Sequence, residues 1–285
     1  MNNNIKLIEC PRDAMQGWKN FISTEKKIEY INALLKVGFD TIDFGSFVSA
    51  KAIPQMADTK EVIGNLQLAN SKSKLLAIIA NVRGAEEAIA FDEITYLGFP
   101  FSISETFQLK NTNSTIEASL LRVEEIQNLC IKNKKELVVY ISMGFGNPYG
   151  DVYSEEIVMQ WVDKLVMLNI NIISLADTVG LAEPAQILSI LKKVIPQYSA
   201  TEIGVHLHSS PHTWKEKTDA ALQAGCKRFD GALKGIGGCP MANNELVGNM
   251  NTELMISYFE EKNLLPSINK EALQEALIIA NKIFV

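Results

Sequence analysis

Short apolar runs ending on polar residues recur along this chain with helical segments between them, and that alternation limits the fold more than any other feature. The runs are Ile5-Cys10, Thr41-Ser46, Lys74-Asn81, Glu93-Phe99, Leu137-Met143, Ile172-Asp177, Ile203-His208 and Arg228-Leu233. Their β-branched and aliphatic content is that of parallel strands buried on both faces. Helix starts fall between them: Ser23-Thr24-Glu25 precedes Ile28, Ile31, Leu34 and Leu35, and Ser154 precedes Ile157-Leu168. Glu183-Pro184 precedes Ile187-Val194, and a Ser114-x-x-Glu117 capping box precedes Leu120, Leu121, Val123 and Ile126. About eight strand-helix units in roughly 260 residues predict an α/β fold of the (β/α)8 type, a TIM barrel, since a doubly wound sheet needs only five or six strands. A last helix near Lys270 to Ile283 is expected to pack on it as an appended C-terminal segment. With no Pro/Gly/Ser linker, residues 1–285 are read as one catalytic domain.

Composition narrows the function classes. A 47% hydrophobic chain with 21% charge can bury a full core. Its net charge of -6 and scattered Lys and Arg offer no basic face for nucleic acid, and no apolar run reaches the ~18 residues of a membrane span. Four widely spaced cysteines without a CxxC pair suit a reducing compartment. Met1 to Lys6 lacks the features of a signal or transit segment, so a cytoplasmic protein is expected.

Active sites of such barrels lie at the C-terminal ends of the strands. The polar residues there are Arg12 and Asp13 after the first run, Asp43 and Ser46 at the second, Asn81 and Arg83 at the third, and Ser104 and Glu105 past the fourth. Ser142 ends the fifth and Asp177-Thr178 the sixth. The three histidines of the chain, His206, His208 and His212, all cluster near the seventh. Positions i and i+2 of a strand face the same side, so His206 and His208 can share one cation at the barrel mouth, about 6 to 7 Å apart along the strand. Asp13 is the best third ligand. A mixed N/O site suits Mg²⁺ or Mn²⁺, and zinc also accepts this donor set. His212 is expected at the surface or capping a helix.

The eighth run leads into Gly235-Ile-Gly-Gly-Cys239-Pro240. No GK[ST] follows, so this is not a Walker loop. Glycines let a loop swing, and a cysteine on it can approach a substrate as proton donor or nucleophile. Cys10, Cys130 and Cys226 lack this setting and are read as packing residues.

Together these residues resemble the 3-hydroxy-3-methylglutaryl-CoA lyase family, one of a group of metal-dependent barrel lyases and synthases. The resemblance runs from Ile5 to about Glu253. It rests on Pro11-Arg-Asp-Ala-Met-Gln16, Ser46-Phe-Val-Ser-Ala-Lys51 continuing to Pro54-Gln-Met-Ala-Asp58, and Ser104-Glu-Thr-Phe107 with Asn111 and Asn113. Further pieces are Ser174-Leu-Ala-Asp-Thr-Val-Gly180, His206-Leu-His208, and the Cys239 loop with Gly248-Asn249 and Thr252-Glu253. The resemblance implies Asp13, His206, His208 and Asn249 as ligands of a divalent cation. It implies contact of Arg12 with a thioester oxygen and action of Cys239 at the reacting carbon. Asp43, Asp177, Gln16, Lys19, Ser142 and Glu253 are implied around them, with Lys19 near substrate or CoA. The chain departs from the pattern where Asp43 stands in place of the common Glu, Ser209 in place of the Asp after the second histidine, and Gly146-Asn147-Pro148 where Cys-Pro is usual, and Met241-Ala-Asn-Asn-Glu-Leu246 near Cys239 also differs.

The implied activity is a retro-Claisen cleavage of 3-hydroxy-3-methylglutaryl-CoA, or a close 3-hydroxy-acyl-CoA, to acetyl-CoA and acetoacetate, by a homo-oligomer (a dimer or higher). The general base stays open among a metal-bound histidine or water, Asp43 and Asp177. A related metal-dependent aldolase or acyl-condensing synthase, which has no need of Cys239, stays open as the alternative, as does a catalytically silent metal-binding barrel.

Overall fold

The computed structural model describes residues 5–238 and 247–285. Among these, eight parallel strands close into a barrel: β1 (Lys6–Glu9), β2 (Thr41–Ser46), β3 (Lys74–Ile78), β4 (Ile94–Ser102), β5 (Glu136–Ser142), β6 (Ile172–Ala176), β7 (Glu202–His206) and β9 (Arg228–Gly231). β9 returns to β1 with Lys6 opposite Arg228 and Ile8 opposite Asp230. A two-stranded antiparallel piece sits beside the mouth, where β8 (His208–Ser209) pairs with β10 (Gly248–Asn249). The predicted barrel and its strand count are therefore present.

The helices are α1 (Pro11–Gln16), α2 (Thr24–Leu35), α3 (Thr59–Ile63), α4 (Val82–Ile89), α5 (Glu105–Thr112), α6 (Ile116–Lys132), α7 (Glu155–Met167), α8 (Pro184–Gln197), α9 (Trp214–Gln223), α10 (Thr252–Glu261) and α11 (Lys270–Ile283). Ser23 and Ser154 cap α2 and α7 as expected, accepting from Lys26 N and Ile157 N. Pro184 opens α8. The cap of α6 is Thr115, not Ser114: its hydroxyl accepts from Ala118 N, three residues on, the spacing a cap requires.

Alternate residues of each strand face opposite ways. Leu75, Leu97, Val139, Ile173 and Val205 join the large apolar layer between strands and helices, whereas Leu76, Tyr96, Val138, Tyr140 and Ile172 fill the lumen. The lumen is thus a packed core whose polar upper end is the mouth. No helix among the described residues is long and apolar enough to cross a membrane.

Candidate active site

β1 stops at Glu9, and Cys10-Pro11 turns directly into α1 with proline in its first turn, where the missing N–H costs nothing. Arg12 and Asp13 are thereby set in a helix rather than in a loop, both buried against the mouth. Arg12 Nε and Nη2 donate to Asp43 Oδ2 at 3.0 and 2.5 Å, and Nη1 donates to Asp13 Oδ1 at 3.0 Å. The shorter carboxylate at position 43 still reaches the guanidinium, helped by a register shift in β2 between Asp43 and Gly45. Burial pushes the Asp43 carboxyl up to about 6, despite Arg12.

Asp13 is the hub. Its Oδ1 also accepts from Gln16 Nε2 at 2.7 Å, and its Oδ2 accepts from Asn249 Nδ2 at 2.7 Å and Gly238 N at 3.3 Å. Burial would raise its carboxyl, but Arg12 and the two histidines outweigh burial and hold it at about 2. Asp13, His206 and His208 each bring one ligand atom within 4.8 Å of the others.

β7 ends at His206, and Leu207 separates it from His208 in β8, so the two histidines do not share one strand. Their rings nonetheless meet edge to face with centroids 5.3 Å apart. His208 Nδ1 lies 3.1 Å from the Thr178 carbonyl, which can only accept, so Nδ1 carries the proton and Nε2 a lone pair. His206 Nδ1 lies 3.2 Å from Asp230 Oδ2. Burial, reinforced by His206, holds His208 down at about 4, so it is neutral at pH 7. The β8–β10 pairing places Asn249 directly opposite His208.

This geometry fits a divalent cation. His208 Nε2 and Asn249 Oδ1 are buried lone-pair atoms with no hydrogen-bond partner among the described residues, and an orphaned buried acceptor is costly unless a ligand satisfies it. With Asp13 and His206 they form a mixed N/O donor set. A cavity of about 440 Å³ opens above, lined by Arg12, Gln16, Asp43, Ser142 and both histidines among others.

Other expected residues are placed differently. Asp177 is not among the residues lining the cavity: Lys217 Nζ donates to it at 2.7 Å and Ala182 N at 3.0 Å, which fixes the β6 end. Glu253 takes the Lys234 amide on both oxygens, anchoring the base of the glycine loop. Lys19 is exposed beyond α1, outside the cavity lining. Asn81 and Ser104 are caps of α4 and α5, and Arg83 pairs with Glu87 on α4. Asn147 folds its own turn, accepting from Tyr149 N and Asp151 N. His212 is exposed, and Cys10, Cys130 and Cys226 are buried. Cys239 lies outside the described residues. The glycines before it serve close approach: a Cβ on Gly237, at φ 100°, would come within 2.6 Å of Asn249 Nδ2 and 2.9 Å of the Asp13 carbonyl.

Sequence reasoning missed Asp230, Lys217 and the Thr178 carbonyl. The signal for Asp230 was a charge inside an apolar strand run, at an inward position of β9. Lys217 Nζ also donates to the His208 carbonyl at 2.8 Å. Lys217→Met is expected to cost about 3 to 5 kcal/mol, the range for stranding one member of a buried ion pair. Denaturant unfolding checks this, and a loss well under 1 kcal/mol would mean that Asp177 finds another partner.

The HMGL-like family model matches residues 4–279. The chain is similar to the hydroxymethylglutaryl-CoA lyase of Bacillus subtilis (strain 168), with 32% identity over 93% of this chain and 88% of that one. It is 32% identical to the mitochondrial hydroxymethylglutaryl-CoA lyase of Homo sapiens, over 95% of this chain and 83% of that one. Among solved structures it superimposes on an HMG-CoA lyase from Acinetobacter baumannii in complex with coenzyme A and 3-methylmalate, with a TM-score of 0.92 and 31% identity, covering 100% of this chain and 92% of that one.

Proposed function

The chain belongs to the HMGL-like family, and from that premise we propose that it is a carbon-carbon lyase cleaving 3-hydroxy-3-methylglutaryl-CoA to acetyl-CoA and acetoacetate. The observation that carries the reading is the pair of orphaned buried atoms, His208 Nε2 and Asn249 Oδ1, gathered around Asp13 beneath a cavity that also holds Arg12. Asp13, His206, His208 and Asn249 would hold a divalent cation, Mg²⁺ or Mn²⁺ by their mixed nitrogen and oxygen donors. When bound, such an ion supplies Lewis acidity that makes a substrate hydroxyl easier to ionise.

The protein's own groups do the rest. Cleavage takes the proton from the 3-hydroxyl, turns that carbon into the ketone of acetoacetate, and leaves the bond's electron pair on the thioester as an enolate. Of the two carboxylates considered as base, Asp43 alone lines the cavity, and a group at about 6 can accept a proton near neutral pH. Arg12 has five N–H groups. Asp13 and Asp43 fix its plane through Nη1, Nε and Nη2, and its remaining donors can hold the thioester oxygen as charge develops. Cys239 is assigned the proton returned to the leaving carbon, completing acetyl-CoA. Gln16 orients Asp13, and Ser142 lines the acyl pocket. A cytoplasmic location and a homo-oligomeric state belong to the same reading.

A coupled acetoacetate assay on the purified protein, with and without Mg²⁺ or Mn²⁺, across a small panel of acyl-CoA esters, tests it. Metal-dependent release of acetoacetate from the hydroxymethylglutaryl ester is expected. Turnover only of a non-thioester 2-oxo or hydroxy acid would favour the aldolase reading, and no turnover with tight metal binding a silent barrel. Cys239→Ser should leave metal binding intact while sharply lowering cleavage. Cleavage at the wild-type rate would remove the thiol from the mechanism.

A further inference from the structure

The lumen directly beneath His206 is polar where the rest of the barrel is apolar. Tyr140 on β5, Ser174 on β6, Gly204 on β7 and Arg228 on β9 are successive register partners. Residues in register share a face and a level, and Tyr140 belongs to the lumen. Gly204 contributes no side chain, and a Cβ there would come within 2.8 Å of Arg228 Cδ, so the arginine stem lies across it. Two residues further along the same strands stand His206 and Asp230, joined at 3.2 Å through Nδ1 and Oδ2.

Arg228 and Asp230 are 1% and 2% exposed. Arg228 Nη1 donates to Glu202 at 3.1 Å, whereas its Nε and Nη2, the Asp230 Oδ1, the Tyr140 hydroxyl and the Ser174 hydroxyl have no partner among the described residues. Barrel packing alone gives no reason for this set, because apolar side chains of the same volume would fill the lumen without stranding buried charge. At its upper end the polar column meets His206, through Nδ1 at Asp230 and through the Tyr140 ring, edge to face with centroids 5.9 Å apart.

We propose that Asp230 is the positioning residue of His206: its carboxylate accepts a hydrogen bond from Nδ1–H, so that the Nε2 lone pair faces Asp13 and Asn249, while Arg228 below compensates the Asp230 charge. The inference rests on reading Asp13, His206, His208 and Asn249 as a cation site. His208 reaches the same tautomer through the Thr178 carbonyl, so the two rings are fixed by unlike partners, one neutral and one anionic. An anionic partner makes its imidazole the stronger donor.

With three histidines in the chain, selective ¹⁵N labelling of the full-length, metal-stripped protein, recorded across an alkaline pH series, resolves each ring. The expected wild-type result is His206 protonated on Nδ1 and bare on Nε2. His206 protonated on Nε2 would overturn the proposal with no variant needed. In Asp230→Asn, whose amide can donate to Nδ1, His206 should shift toward the Nε2–H form, with His208 unchanged. Calorimetric titration with Mn²⁺ should then show a loss of affinity of roughly 10- to 100-fold. Unchanged affinity with an unchanged His206 spectrum would reduce Asp230 to a lumen filler. Failure of the wild-type protein to bind Mn²⁺ or Mg²⁺ would instead sink the cation reading, leaving the tautomer result to be judged alone.

Discussion

Arg12→Lys is expected to lower turnover by roughly 10²-fold or more, the cost of removing one preorganised electrostatic stabiliser, while leaving the positive charge in place. A guanidinium offers a rigid fork, and here that fork is fully specified: Nε and Nη2 lie on Asp43 and Nη1 on Asp13. A lysine ammonium has three donors on a flexible stem and can satisfy the two carboxylates or a thioester oxygen, but cannot hold all three in one plane. The fall should appear in kcat more than in KM, since the developing enolate is what loses its partner. Calorimetry with Mn²⁺ is the control, because Asp13 keeps Gln16 and Asn249. Near wild-type turnover in the lysine variant would make Arg12 a structural counter-ion for Asp13 and Asp43.

His208→Ala should cost more activity than loss of a supporting partner such as Asp230, so more than about 100-fold, and should uncouple the fold from the metal. In the folded chain His208 gives only its Nδ1 proton to the Thr178 carbonyl, while Nε2 is unpartnered. Stranding one buried carbonyl costs about 1 to 3 kcal/mol, so the metal-free variant should be only modestly weakened. The difference lies in the response to the ion. Mn²⁺ at 100 times its Kd stabilises a one-site protein by about 2.7 kcal/mol, and thermal unfolding should show that gain in the wild type and not in the variant. Equal stabilisation of both would place the ion elsewhere.

The barrel was legible because parallel strands buried on both faces must be nearly all apolar, and their ends are then marked by the first polar residues. The same rule found Arg12, Asp13, Asp43, Ser142 and both histidines, which the structure places around one cavity. It could not show the setting of Asp177, because a buried carboxylate held by Lys217 and one facing substrate look alike until the partner, forty residues later, is known. It missed Asp230 because a charge inside a strand run reads as an interruption when the lumen cannot be seen. Asn249 came from family resemblance alone, since nothing local marks an asparagine whose importance lies in crossing to Asp13. The glycines before Cys239 suggested mobility, but at Gly237 they answer first to contact with Asn249 and Asp13.

The bond from Asn249 to Asp13 spans 236 residues of chain, which sets an order of events during synthesis. A ribosome adds roughly 5 to 20 residues per second. For most of that time the nascent barrel lacks β9, and two unsatisfied parallel edges face whatever is nearby. His206, His208 and Asn249 emerge last, so no early fragment carries the donor set, and the ion cannot template the fold. The complete set comes together only when the β8–β10 pairing brings Asn249 opposite His208. Folding must therefore cross its slow, non-local step unaided, and a cell short of the metal should accumulate closed, empty barrels rather than unfolded chains.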